Sequence, residues 1–115
     1  MEEQILTYTK VENGLLASFN GTNKLTTLNS KSIKKELIQQ IRVCKTGLFL
    51  DFSEIKIIDS AGFQALLALQ ISAILCNIEF VILKISKEVL QIFNFVELNL
   101  VFDIRENINI YRKAS

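Results

Sequence analysis

Two short runs of alternating apolar and polar residues predict a β-hairpin in the first part of the chain. The runs cover residues 5–10 and 15–19, and Glu12, Asn13 and Gly14 lie between them. An Asn-Gly pair between two strand-like runs is the strongest short-range signal for a hairpin. We therefore expect two antiparallel strands here.

The next stretch predicts a loop, a helix and a buried strand. A polar loop, residues 20–27, leads to a helix that Asn29 or Ser30 would begin. Its apolar residues fall on one face at helical spacing, namely Ile33, Leu37, Ile38 and Ile41. The continuous apolar run at 48–50 is typical of a strand that is covered on both faces.

Helix and strand patterns continue to alternate in the second half. Residues 61–76 predict a long apolar helix, which Asn77 would end in the left-handed conformation. Residues 80–85 predict a buried strand, and Ser86 is expected to cap a short helix with Val89, Leu90 and Phe93 inward. A last strand is expected at 101–104, and a weak helical turn at 107–112.

This order of elements predicts one α/β domain over residues 1–115. Its sheet would be mixed, with four or five strands that start from the hairpin, and its helices would lie mainly on one face. The length of the chain agrees with a single domain, because 115 residues are enough to bury a core without disulfides or metals.

Composition narrows the possible functions. Thirteen basic and twelve acidic residues give a net charge of +1, so we expect no direct binding to nucleic acid. The first residues lack a signal-peptide pattern and no apolar stretch is long enough for a bilayer span, so a cytoplasmic protein without membrane insertion is expected. Cys44 and Cys76 lack metal-site spacing and are expected to be buried or half-buried free thiols. We expect neither a metal nor a cofactor.

The candidate site lies in residues 47–63, where a buried strand ends at Asp51 and an apolar helix starts beside Asp59 and Ser60. Unpaired backbone N–H groups and the helix dipole favour an oxyanion or a phosphate at such a position. The alternative is that Ser60 is only the N-cap of the helix. Gly62 is unfavourable in a first helical turn, which suggests that a partner's backbone comes close.

Catalysis is not expected from these residues. The chain has no histidine that could activate Ser60, and its four glycines are not clustered into a phosphate-binding loop. Asp51 and Asp59 are the obvious carboxylate pair for acid–base chemistry, but loop and capping roles are more frequent for such aspartates.

Residues 48–63, with Asp-Ser-Ala-Gly at 59–62, and the later segment 85–93 resemble the STAS domain, the fold of bacterial anti-sigma-factor antagonists. The resemblance implies that a partner serine kinase, the anti-sigma factor, phosphorylates Ser60. The unphosphorylated antagonist would bind that factor and free the sigma factor, and a phosphatase would restore this state. The phosphate would rest on the N–H groups of Gly62 and Phe63.

Three positions differ from the usual pattern of that family. Ala61 stands where a second serine is usual, Gln64 where a glycine is usual, and Thr26 where an aspartate usually lies near the phosphorylated serine. We expect these three residues, with Asp51, Asp59 and Gly62, to support the site or to contact the partner.

A second interpretation is a constitutive assembly subunit that docks on a transporter ATPase or a stress-signalling complex without a phosphate cycle. Separately, the long helix has no charge from residue 60 to 77, which predicts that it is buried nearly all round. We expect Phe63, Leu66, Leu67 and Ala73 to face the sheet. Ile71, Ile74 and Leu75 would face outward, either as an interface with a second copy or another partner or beneath residues 108–111.

Overall fold

The predicted β-hairpin is present, with a different loop from the one expected. The computed structural model describes residues 5–95 and 100–106. Strands β1 (Leu6–Val11) and β2 (Gly14–Phe19) are antiparallel, and Val11 lies opposite Gly14, so the loop is Glu12 and Asn13. Gly14 starts β2 with φ +152°, where a side chain would overlap the backbone of Gly47.

The other elements follow the predicted order, with small shifts at their ends. They are β3 (Lys24–Leu25), α1 (Ser30–Val43), β4 (Gly47–Asp51), β5 (Ile57–Ile58), α2 (Ser60–Cys76), β6 (Glu79–Leu83), α3 (Lys87–Phe95) and β7 (Asp103–Arg105). The predicted helical turn at 107–112 lies outside the described residues.

The main sheet has five strands in the order β1-β2-β4-β6-β7. Only β1 and β2 are antiparallel; β4, β6 and β7 each run parallel to the neighbour before them. Helices α1, α2 and α3 lie in the connections between successive parallel strands. Together with the antiparallel hairpin, these strands make the sheet mixed, as the sequence predicts.

Alternate residues of the central strands are buried on opposite faces of the sheet. Leu48 and Leu50 of β4 join the large core, which also contains the inner residues of all three helices. Phe49 joins Val81 and Leu83 in a smaller cluster. Burial on both faces explains the continuous apolar run in β4.

A second sheet of only two strands was not predicted. Strands β3 and β5 are parallel, with Lys24 opposite Ile57 and Leu25 opposite Ile58. Each has two residues, which is too short for any apolar periodicity to be visible in the sequence. Their pairing brings the loop after β3 next to the beginning of α2.

The ends of the helices explain two further results. Asn77 has φ 59° and ψ 44°, and its N–H donates to carbonyls of the last turn of α2, so it ends this helix as predicted. Cys44 is half-buried as expected, but Cys76 is exposed, because it lies on the outer side of the last turn of α2, whose buried residue is Ala73. Within residues 5–95 and 100–106, no helix is both long and apolar enough to cross a membrane.

Candidate functional site at the start of helix α2

Ser60 is the first residue of α2, and its side chain is exposed. The preceding residue, Asp59, has an extended backbone (φ −119°, ψ −174°) that turns the chain from β5 into the helix. Within the described part of the chain, the Ser60 hydroxyl has no hydrogen-bond partner. It is therefore accessible to a modifying protein.

Asp59, and not Ser60, is the N-cap of α2. Asp59 Oδ1 accepts a hydrogen bond from the backbone N–H of Gly62 at 3.0 Å, which is the usual geometry of an aspartate cap. Ser60 already lies within the helix as its first residue, one position after the cap. The interpretation of Ser60 as a plain cap is therefore wrong.

The second oxygen of Asp59 connects the helix to the loop after β3. Asp59 Oδ2 accepts hydrogen bonds from the backbone N–H of Thr27 at 3.0 Å and from the Thr27 hydroxyl at 3.1 Å. The pKa of Asp59 is lowered, first by the Thr27 N–H and then by the Gly62 N–H, because both stabilise the charged form. A fixed negative charge thus lies beside Ser60.

The backbone groups expected to receive a phosphate are already engaged. The N–H of Gly62 donates to Asp59 Oδ1, and the N–H of Phe63 donates to the backbone carbonyl of Asp59 at 3.0 Å. The expectation that both groups are free to bind a phosphate is therefore wrong. A phosphate on Ser60 has to compete with Asp59 for the Gly62 N–H.

Gly62 is required by the chain itself. A Cβ atom at this position would overlap the carbonyl oxygen of Leu25 and would lie 2.7 Å from Cγ1 of Ile58. Gly62 is buried, so a partner's backbone cannot be the one that approaches it. The expectation of a close approach is right, but the approaching backbone is that of β3.

The sequence pointed to Thr26, whereas Thr27 is the residue that reaches Asp59. The Thr26 N–H donates to Oδ1 of Asn29 at 3.0 Å, and the Thr26 hydroxyl accepts from the N–H of Leu28 at 3.3 Å. Thr26 therefore stabilises the loop itself. Only the two-residue pairing of β3 with β5 determines which threonine faces α2, and no sequence pattern revealed that pairing.

Of the other predicted site residues, Gln64 lies on the same surface as Ser60, whereas Asp51 and Ala61 have structural positions. Asp51 accepts from the N–H of Ser53 at 2.9 Å, which makes it a turn residue. Gln64 is exposed one turn after Ser60 and shares its surface, whereas Ala61 is half-buried. Leu28, which follows Thr27 in the loop after β3, is 87% exposed.

The second half of α2 has an exposed apolar face. Ile71, Ile74 and Leu75 are 57%, 67% and 81% exposed. On the inner side Leu66 and Ala73 are buried, while Phe63 and Leu67 are partly buried against the core. The alternative cover, residues 108–111, lies outside the described residues.

Comparison with known proteins identifies one family. The model of the STAS domain matches residues 8–111. No curated protein matches the chain.

Several solved structures have a similar fold. An anti-sigma-factor antagonist (STAS) domain protein from Planctomyces limnophilus is 11% identical, with a TM-score of 0.83 over 95% of this chain and 96% of that one. The Bacillus cell fate determinant SpoIIAA in its phosphorylated form is 14% identical, with a TM-score of 0.67 over 96% and 99%. The murine anion transporter Slc26a9 is 16% identical, with a TM-score of 0.67 over 88% of this chain and 18% of the transporter.

Replacement of Gly62 by alanine should destabilise the fold. Overpacking of this kind lowers the free energy of unfolding by about 1–3 kcal/mol, which exceeds the gain in helix propensity of about 1 kcal/mol. Urea denaturation measures the difference. Gln64→Ala, at an exposed position two residues later, is the control and should stay within about 0.5 kcal/mol of the parent. A Gly62→Ala variant as stable as the control would contradict the packing against Leu25.

Asp59 should make stability depend on pH in the acid range. Because its pKa is below 3.8 in the folded protein, its stabilising effect is present above pH 3.8 and is lost as the pH falls through the folded-state pKa. The difference in unfolding free energy between the parent and Asp59→Asn should be constant above about pH 5 and should shrink below about pH 4. Thr27→Val, which removes one donor to Asp59, should reduce this pH-dependent part. A difference that does not change with pH would show that these hydrogen bonds do not stabilise the folded state.

Proposed function

The chain belongs to the STAS domain family, and we propose that it is a regulatory binding protein of the anti-sigma-factor-antagonist type. In this proposal a partner serine kinase, the anti-sigma factor, phosphorylates Ser60 in the cytoplasm. The unphosphorylated protein binds that factor and frees a sigma factor, so that transcription responds through protein–protein contacts. Phosphorylation releases the partner, and a phosphatase restores the binding form.

The observation that carries this proposal is the exposed hydroxyl of Ser60 at the first residue of α2, which has no hydrogen-bond partner in residues 5–95 and 100–106. A kinase can reach this hydroxyl without unfolding the helix. A phosphate there adds close to two negative charges next to the charged Asp59. A partner that packs over Ser60 and Gln64 would then face a strongly negative surface, and its complex would dissociate.

Two solved structures of one similar protein support the proposal, because they show a similar fold with and without phosphorylation. The anti-sigma factor antagonist SpoIIAA is 15% identical in its unphosphorylated form, with a TM-score of 0.73 over 95% of this chain and 94% of that one. Its phosphorylated form matches nearly all of this chain as well. One fold therefore serves both forms of that protein.

Binding rather than catalysis is the role we propose for the site. The chain contains no histidine, and Asp51 is committed to a turn with Ser53. Hydrogen bonds from Thr27 and Gly62 hold the Asp59 carboxylate and lower its pKa, which makes it a weak base. Its geometry suits a cap and a recognition group better than proton transfer.

A second candidate function is that of an assembly subunit without a phosphate cycle. The exposed apolar face of α2 favours it, because exposed apolar patches on such domains mark interfaces more often than chance. The partner would be a transporter ATPase, a stress-signalling complex or a second copy of this chain. A piece of the murine transporter Slc26a9 has the same fold, which shows that the fold occurs within a transporter chain.

The role of Ser60 is tested in two steps. Partners of this protein are first captured from the native cell. The protein is then incubated with the captured kinase and ATP, and its intact mass is measured. We expect one phosphate at Ser60 and release of the partner. Ser60→Ala should fold, bind and resist release, and Ser60→Asp should bind at least tenfold more weakly, which corresponds to about 1.4 kcal/mol. Ser32→Ala, at an exposed serine of α1, is the control and should behave like the parent. Full phosphorylation of Ser60→Ala would exclude the assignment.

The apolar face of α2 is tested with Ile71→Lys. The side chain is exposed, so the variant should keep its melting temperature, while the charge should disrupt an interface and lower the mass measured by light scattering. Val43→Lys at the end of α1 is the control, because Val43 is also exposed and lies on another helix. A parent protein that is monomeric at high micromolar concentration, together with an unfolded Ile71→Lys variant, would mean that this face is interior.

A further inference from the structure

Asp59 is shared between two parts of the site. Its Oδ1 atom binds the first turn of α2 through Gly62, and its Oδ2 atom binds the loop after β3 through both donors of Thr27. We propose that the hydrogen bonds between Asp59 and Thr27 form a latch, which opens when Ser60 is phosphorylated and so displaces the segment 26–29 with its exposed Leu28. The inference rests on the proposed phosphorylation of Ser60.

The segment 26–29 is a hydrogen-bonded turn that continues into α1, where the N–H of Ser30 donates to the carbonyl of Thr26 at 2.7 Å. Its N–H groups at Thr26 and Leu28 bond within the segment, to Asn29 Oδ1 and to the Thr26 hydroxyl. Asn29 also donates to the carbonyl of Lys24, which keeps the segment attached to β3. Among the described residues, its side-chain hydrogen bonds to the start of α2 come from Thr27 alone.

A phosphate on Ser60 acts on the Asp59 carboxylate in two ways. It competes for the N–H of Gly62, which the helix dipole makes attractive to any anion. It also brings close to two negative charges to the residue adjacent to a carboxylate. Because the pKa of Asp59 is lowered, protonation cannot relieve this repulsion near neutral pH. The carboxylate is therefore displaced from its position between Gly62 and Thr27.

The displaced segment carries an exposed apolar side chain, that of Leu28. Leu28 is 87% exposed and directly follows Thr27, so its position depends on the latch. A partner that fits this surface has an apolar pocket for Leu28 beside polar groups that face the Ser60 hydroxyl. Such a partner loses two contacts at once on phosphorylation, because the new charge repels it and Leu28 leaves its pocket.

The latch is tested on the full chain, with phosphoserine inserted at position 60 during synthesis so that no kinase is needed. Amide hydrogen exchange and NMR shifts are recorded for the phosphorylated and unphosphorylated proteins. We expect the Thr27 amide to exchange about tenfold faster and the Leu28 methyl signals to shift when Ser60 is phosphorylated. The amide of Asn77, at the other end of α2, should stay unchanged and is the internal control.

Asp59→Asn provides a matched variant without phosphate. The asparagine oxygen can still accept from Gly62, but its NH₂ group then faces the donors of Thr27. We expect the Thr27 amide of this variant to exchange as fast as in the phosphorylated protein. Unchanged Thr27 exchange in the phosphorylated protein, with shifts confined to Ala61 and Gly62, would overturn the latch. A kinase that ignores Ser60 would refute the proposed function and leave this measurement unaffected.

Discussion

The contact between β3 and the first turn of α2 determines the geometry of the whole site. The carbonyl of Leu25 lies so close to Gly62 that no side chain fits between them. This approach holds the loop after β3 at one distance from the helix, and at that distance both donors of Thr27 reach Asp59. Because Gly62 has no side chain, the loop with Thr27 can lie next to the cap Asp59 and the exposed Ser60.

The charges of this surface oppose one another. The N-terminus of α2 attracts anions. Asp59 already supplies a carboxylate there, and hydrogen bonds from Thr27 and Gly62 keep this carboxylate charged. An added phosphate has to share the same N–H groups, so it is close to an attractive helix end and to a repulsive carboxylate at the same time. Loss of a hydrogen bond between Asp59 and Thr27 or Gly62 can then change the shape and charge of this surface without any change in the fold.

Sequence patterns predicted the parts of this molecule that have a period or a special backbone. The hairpin, the doubly buried β4 and the left-handed Asn77 followed from such patterns. The pairing of β3 with β5 has no period, because each strand has two residues. For this reason the sequence indicated Thr26 instead of Thr27 and assigned the close approach at Gly62 to a partner.

Helix α2 carries two separate surfaces, the site at Ser60 and the exposed apolar face of its second half. Ser60 lies at its first residue and Ile71 eleven residues later, which at a rise of about 1.5 Å per residue separates them by about 16 Å along the axis. A partner on the apolar face therefore need not cover Ser60. The two surfaces can therefore serve different partners: one protein can bind Ile71, Ile74 and Leu75 while another contacts Ser60.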